Sequence, residues 1–285
     1  MIQVAIHQSE TKAVAMQRAR GRAFLSISVA RGESRLVDLS QSGSARIMLP
    51  RVTGSRPEAV FLNTSGGLTS GDCLDYGISV DAGAALTATT QTAERAYLAP
   101  TGPARLAIRA DVGAKASLDW LPQETILFQG AALSRETRIE LGPEAHCLLV
   151  EIVVLGRRAM GEVVTNVRFT DRRVVNVQGR PLHIESVDLS SDALARSSTI
   201  AMLGPAHVFA SVAYCGPGTE DAAATLRSLN VPADVTAATS GWNGRTLLRA
   251  TATDLWPLKV YLGRVIALLT GQPLPRVWQM QGLAP

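Results

Sequence analysis

Four carboxylates stand in phrases otherwise poor in charge: Asp72 in Ser70-Gly71-Asp72, Glu94 in Thr89-Thr90-Gln91-Thr92-Ala93-Glu94, Glu124 in Leu121-Pro122-Gln123-Glu124-Thr125, and Glu162 in Met160-Gly161-Glu162. Their oxygens could handle a divalent cation loosely, or they could accept hydrogen bonds from backbone amides and pair with Arg95 and Arg157. The hydroxyls of Thr64, Thr69, Thr89 and Thr90 extend this set of weak oxygen donors. Such donors release a metal that an imidazole or thiolate cage would trap.

The richest glycine segment, Asn63-Thr64-Ser65-Gly66-Gly67-Leu68-Thr69-Ser70-Gly71-Asp72, invites comparison with a phosphate cradle. It lacks both Gly-x-Gly-x-x-Gly and the Gly-Lys-Ser/Thr ending, and Tyr76-Gly77-Ile78-Ser79-Val80 after it reads as a strand where a helix N-terminus is required. Nucleotide binding is therefore not expected. His7, His146, His183 and His207 lie apart, with no Gly-x-Ser-x-Gly elbow and no His-Glu-x-x-His pair, which argues against a serine hydrolase triad and a preformed zinc or nickel cage. Cys73, Cys147 and Cys215 are odd in number and far apart in sequence, so neither a disulfide framework nor structural zinc is expected, and a reducing cytoplasm fits.

The elements that must position these residues are mainly strands. Phe24–Val29, Arg46–Leu49, Ala59–Leu62, Arg105–Ile108 and Val163–Phe169 are short, β-branched or alternating, and separated by Gly, Pro, Asp and Ser. Three strand-entry turns, Asp81-Ala82-Gly83-Ala84, Asp111-Val112-Gly113-Ala114 and Leu141-Gly142-Pro143-Glu144-Ala145, recur at about thirty residues. Stacked β layers produce such a period, though ordinary turns use the same residues. Helices are expected near 192–203 and 221–229, each after acidic or hydroxyl capping residues. A longer one is expected over 255–270, where Leu255, Leu258, Tyr261, Leu262, Val265, Leu268 and Leu269 recur at helical spacing until Gly271 and Pro273. Trp242-Asn243-Gly244-Arg245 reads as a hairpin turn into a strand over Thr246–Thr251.

The expectation is a mainly β, stacked-strand (β-solenoid-like) body with a small C-terminal helical addition: a single domain over 23–285 preceded by a flexible basic arm over 1–22. The 285 residues, 46% hydrophobic, can supply its core. The net charge of +4 predicts no polyanion partner, and aromatics at 5% offer few stacking platforms for nucleic acid. Residues 1–22 alternate apolar and polar types unlike a secretory signal, and Glu151 and Arg264 interrupt the most apolar later runs, so neither export nor a membrane span is expected.

Taken in order, the phrases resemble the UreD (UreH) family of urease accessory proteins. They are Asn63 to Asp72, Thr89-Thr90-Gln91 with Glu94-Arg95-Ala96-Tyr97, Trp120-Leu121-Pro122-Gln123-Glu124-Thr125-Ile126-Leu127-Phe128, Leu155-Gly156-Arg157, Met160-Gly161-Glu162 and Leu274-Pro275-Arg276-Val277-Trp278. The resemblance runs from about Gly21 to Trp278. It implies a cytoplasmic, non-enzymatic chaperone that binds urease apoprotein with UreF and the GTPase UreG, with nickel as transient cargo and no tightly bound cofactor. The family-motif and nickel-passage candidates are then Thr64, Gly66, Gly67, Thr69, Asp72, Thr89, Thr90, Gln91, Glu94, Gln123, Glu124, Gly161 and Glu162, of which Asp72, Glu94, Glu124 and Glu162 are the possible transient ligands. The rival reading is a hydrolase or sugar-acting enzyme on a stacked-β scaffold, using two of these carboxylates as acid and base.

Overall fold

The computed structural model describes residues 17–52, 56–196, 198–199 and 202–279. The strands in chain order are β1 (Arg20–Ala30), β2 (Glu33–Gly43), β3 (Ala45–Met48), β4 (Glu58–Asn63), β5 (Cys73–Val80), β6 (Ala85–Thr90), β7 (Glu94–Ala96), β8 (Ala104–Val112) and β9 (Ser117–Leu121). They continue with β10 (Thr125–Leu127), β11 (Ala131–Leu141), β12 (His146–Leu155), β13 (Val167–Val177), β14 (Arg180–Ser190), β15 (Val208–Cys215), β16 (Val235–Trp242) and β17 (Arg245–Ala252). The α-helices are α1 (Ser191–Ala195), α2 (Ala222–Ser228), α3 (Leu255–Thr270) and α4 (Arg276–Gln279).

These strands form two facing sheets. The first has the order β14-β13-β11-β8-β5-β1-β2 and the second β16-β17-β15-β12-β9-β6-β4-β3. The chain coils between them, from β5 to β6, β8 to β9 and β11 to β12, so that successive strands stack in parallel: Val80 lies beside Val112, Val112 beside Leu141 and Leu141 beside Val177. This is a β-solenoid-like body. Alternation along each strand sends one set of side chains into the space between the sheets, where Leu25, Ile78, Leu86, Leu118 and Phe169 are buried. The outer face of the second sheet carries another apolar set, including Leu148, Val150, Ile152 and Val212, covered by Tyr261, Leu262 and Val265 of α3 and by Trp278 of α4.

The thirty-residue repeat marks the turns that close each coil. The Gly113 amide donates to the Val80 carbonyl at 2.7 Å, the Gly142 amide to Val112 at 2.7 Å, and the Lys115 amide to Pro143 at 2.9 Å. The turns therefore bond to one another as the strands do, one coil above the next. Glycine is required by the close approach: a Cβ on Gly113 would lie 2.6 Å from the Ala82 amide nitrogen, and one on Gly142 would lie 2.7 Å from that of Ala114.

Several local expectations change. The strand expected over Val163–Phe169 begins only at Val167, because the Gln129 side-chain oxygen takes the amides of Thr165 (2.8 Å) and Asn166 (3.2 Å). The helix expected near 192–203 is the five-residue α1, with Ser190 Oγ accepting from the Ala193 amide at 3.2 Å. Beyond it the Thr199 hydroxyl donates to the Arg196 carbonyl, a local bond that competes with helix continuation. Near 221–229, Asp221 makes no side-chain cap for α2 and a 3₁₀ turn over Thr219–Asp221 leads in; Glu220 instead accepts from the Gly244 amide in the hairpin turn. Asn243 and Gly244 there have φ of 46° and 73°, the left-handed pair of a tight hairpin. Helix α3 starts at an Asp254 cap and stops at Gly271 with φ 60°. Of the basic arm over 1–22, residues 1–16 lie outside the described residues, while Arg20–Arg22 already belong to β1.

Replacing Gly113 with Ala should push two turns apart and lower stability by about 1–3 kcal/mol. Urea denaturation of the variant beside the wild type measures it, and Gly32→Ala is not its equivalent, since that position is strained by φ of 80° but meets no neighbour.

Candidate functional site

The connections running from the second sheet back to the first all lie on the edge opposite the stacked turns, and they hold the sequence phrases singled out above: 64–72, 91–103, 122–130 and 156–166. They interlock as a narrow third ladder. Leu68 donates to the Arg95 carbonyl (2.7 Å) and accepts from Tyr97 (2.8 Å); Glu94 donates to the Glu124 carbonyl (2.9 Å); Phe128 donates to Ala96 (3.0 Å) and Gly156 to Leu127 (2.8 Å). Strands β7, β10 and the end of β12 pair in parallel within this ladder. Gly67, with φ of 151°, permits it, because a Cβ there would fall 2.7 Å from the Arg95 carbonyl oxygen and against the Tyr97 ring.

Three of the four singled-out carboxylates serve as ties in this edge. Asp72 accepts from the Ala19 amide at 2.7 Å and the Thr69 amide at 2.8 Å, fastening the start of β1 to the glycine loop. Glu162 accepts from the amides of Gln129 and Arg157 and from Arg157 Nε (3.1, 3.0 and 3.0 Å). Burial works against its charge, but these donors hold its carboxyl below the usual range. Arg157 also lies over the Phe128 ring at 4.7 Å, and Gly161, with φ of 71°, closes the 3₁₀ turn of this loop. Glu124 is paired with Lys259 of α3, whose ammonium lies 2.8 Å from Glu124 Oε2 and 2.6 Å from Gln123 Oε1 and is fully buried. The Trp278 ring flanks that ammonium, and its indole N–H donates to the Leu121 carbonyl.

The threonines divide likewise. Thr64 Oγ1 donates to Ser44, Thr69 Oγ1 to Leu98 and Thr89 Oγ1 to Leu121, all backbone carbonyls (3.0, 2.7 and 2.6 Å), while Thr90 Oγ1 accepts from the Gln123 amide at 2.9 Å. Gln91 is exposed, its amide bonded to the Phe61 carbonyl.

Glu94 differs from the other three carboxylates. It lines a small cavity of ≈ 50 Å³ beneath Gly66 and Gly67, together with Asn63, Tyr76, Thr90 and Gln91. Asn63 Nδ2 lies 3.1 and 3.3 Å from its two oxygens. Burial outweighs this bond, a hydrogen bond from the Arg95 backbone amide and the charges of Arg95 and Arg135, and the carboxyl is pushed up to about 7. The same burial, with Glu94 beside it, pushes the Tyr76 phenol up. The structure thus brings Gly66, Gly67, Thr90, Gln91 and Glu94 to one cavity, and places Asp72, Gln123, Glu124, Gly161 and Glu162 elsewhere along the edge.

Behind the cavity lies a charged cluster that the sequence reading did not single out. Arg135 of β11 reaches Asp171 of β13 through two hydrogen bonds (3.0 and 2.8 Å), Thr125 at 3.0 Å, and Glu151 of the facing sheet at 2.6 Å. Arg173 joins Asp171 (3.2 Å) to Glu185 (3.3 Å), and Glu185 also accepts from Ser211 and Arg249 (2.6 and 2.9 Å). Burial raises the Glu151 carboxyl, whereas Arg135 holds Asp171 low against its burial. The missed signal was parity: Arg135, Asp171 and Arg173 share the inward register of Leu133, Ile139, Phe169 and Val175. Lys259 was legible in the same way, one residue after Leu258 on the buried face of α3. Among the described residues no three His, Cys, Asp or Glu side chains are gathered so as to hold a metal ion, and no helix is long and apolar enough to cross a membrane.

A profile of the family described as "UreD urease accessory protein" matches residues 19–279. The chain belongs to that family. It is 49% identical to the urease accessory protein UreD of Cereibacter sphaeroides (strain ATCC 17025) over 93% of this chain and 96% of that one. It is 48% identical to the UreD of Paracoccus denitrificans, over 94% of each chain. Against the UreD of Rhizobium leguminosarum bv. viciae it is 41% identical over 93% of this chain and 96% of the relative. Family membership supports a role in urease maturation, and the described ladder shows what several of the sequence phrases do mechanically in this chain.

Two measurements check the site's physics. Lys259→Met leaves Glu124 buried without its cation and should cost about 3–5 kcal/mol, with much of the loss recovered in Lys259→Met/Glu124→Leu; urea midpoints of the four proteins give the coupling. For Glu94, whose folded-state carboxyl titrates above its unfolded value, the neutral form is favoured in the fold. Its stabilising contribution is present below about pH 4.5 and lost as pH rises through about 7. The stability of Glu94→Gln minus that of wild type should therefore rise between pH 4.5 and 7, read from paired denaturation curves.

Proposed function

We propose that the chain acts as a non-enzymatic urease maturation factor, a chaperone and scaffold that binds urease apoprotein together with UreF and the GTPase UreG in the cytoplasm and helps pass nickel to the active site. The observation that carries this reading is the family match over residues 19–279, with relatives at 41–49% identity that are named urease accessory proteins.

The geometry supports a division of labour among the motif residues. Asp72, Glu124 and Glu162 are occupied by backbone amides or cations in the ladder, so their proposed work is to keep the edge in shape. Glu94 lines the cavity, pairs with no cationic side chain among the described residues, and accepts from the Asn63 amide group and the Arg95 backbone amide, so nickel handling is assigned to it, with the Thr90 hydroxyl as a neighbouring oxygen donor. One carboxylate with neutral oxygen donors binds a divalent ion weakly enough to release it. The rival enzyme reading needs an acid and a base across a substrate cleft. The pairing of Glu124 with Lys259 and of Glu162 with Arg157 leaves Glu94 without such a partner on this edge.

The test is Glu94→Gln, which keeps the Asn63 neighbour but removes the charge. Co-purification with urease apoprotein and the accessory proteins should be unchanged, while nickel-dependent activation of urease should fall several-fold. Full activation by an intact complex would refute the assignment.

A further inference from the structure

We propose that Cys147 and Cys215 are an oxidisable pair that closes into a cross-strand disulfide on exposure to a peroxide. The two residues, far apart in sequence, lie directly opposite one another on the antiparallel strands β12 and β15. Leu155 donates its amide to the His207 carbonyl at 2.9 Å in the same register, and 147 and 215 lie an even number of residues away on each strand. They therefore fall at a position where opposite residues exchange backbone hydrogen bonds. Such positions hold Cα atoms about 5.5 Å apart, inside the ~4.4–6.8 Å range that a disulfide spans.

Both side chains point from the second sheet into the core between the sheets, among Ala145, Leu149 and Ala213, and both are free thiols. The neighbouring Cys215 thiol, through a hydrogen bond, and burial push the Cys147 thiol up, as expected of two sulfurs in contact. The pair sits at the end of its strands. Cys215 precedes Gly216 and the exposed Pro217 and Gly218, and His146 bonds to the Pro217 carbonyl at 2.8 Å over that end. A small neutral oxidant has a short way to travel there. The third thiol, Cys73, is half-buried near the Gly71 carbonyl at the opposite end of the coil.

The chemistry balances with hydrogen peroxide as oxidant. One thiol, attacking as thiolate, takes one peroxide oxygen to become a sulfenic acid and the other oxygen leaves as water. The second sulfur then attacks the sulfenic sulfur, the S–S bond forms, and a second water leaves. The product staples β15, which pairs antiparallel, to β12, the last parallel coil strand of the second sheet. It closes a loop of roughly seventy residues, which restricts the unfolded chain.

The experiment treats the purified full chain with hydrogen peroxide, blocks remaining thiols with iodoacetamide under denaturing conditions, and maps peptides by mass spectrometry without reduction. The expected result is a peptide pair joining Cys147 to Cys215, with Cys73 alkylated, and a melting temperature raised by about 5 °C or more that dithiothreitol reverses. Neither change should appear in Cys215→Ala or, where that variant folds poorly, in Cys147→Ala. Recovery of Cys147 and Cys215 both alkylated, or each separately oxidised to sulfinic or sulfonic acid, would overturn the proposal, and the wild-type map decides this without either variant.

Discussion

A guanidinium removed from water must be met on several sides at once, and Arg135 meets that condition only where the two sheets face each other in one register. Its side chain is 3% exposed, and its partners come from three strands: Asp171 from β13, Glu151 from β12 and Thr125 from β10. Sliding any one of these strands by a residue would turn its partner to the other face and leave a buried charge alone, which costs several kcal/mol. A buried ion pair of this kind adds little net stability over apolar packing. What it contributes is discrimination against wrong registers in a parallel stack whose apolar pattern repeats from coil to coil.

The same constraint shapes the motif edge. The returns from the second sheet to the first are longer and less regular than the turns on the other side, and irregular backbone must still satisfy its amides. The chain does this with the third ladder and with side chains aimed at single amides: Asp72 for Ala19 and Thr69, Gln129 for Thr165 and Asn166, Glu162 for Gln129 and Arg157. Lys259 then ties α3 to the Gln123-Glu124 return, so the C-terminal helix is fixed to the edge by a charge as well as by the apolar contacts of Leu258 and Leu262. Most of the polar residues in these phrases are accounted for by this carpentry, and among the described residues Glu94 is the carboxylate that lines the small cavity without a cationic partner.

Much of the fold was legible in the chain. The turns at Asp81, Asp111 and Leu141 announced a stacked repeat because every coil must turn in the same place with the same small residues, and α3 announced itself by a long apolar period with a cap and a glycine stop. The Asn243-Gly244 hairpin was legible for a similar local reason. The extent of α1 was not, since Ser and Thr after Arg196 have alternatives to helix that depend on surroundings. The site was legible as phrases but not as roles. Whether Glu124 is a ligand or half of an ion pair depends on Lys259, distant in sequence, and the opposition of Cys147 and Cys215 depends on a register that no local pattern encodes. Arg135 and Asp171 were visible only to a reader who fixed the inward parity of β11 and β13 first.

In the proposed division of labour, holding the edge together and handling nickel fall to different carboxylates. Anomalous diffraction at the nickel edge, from crystals of the chain soaked in a nickel(II) salt, tests that division most directly. The account predicts an anomalous peak within coordination distance of Glu94, in the cavity under Gly66 and Gly67, and none at Asp72, Glu124 or Glu162. Nickel bound at any of those three, with the Glu94 cavity empty, would contradict it.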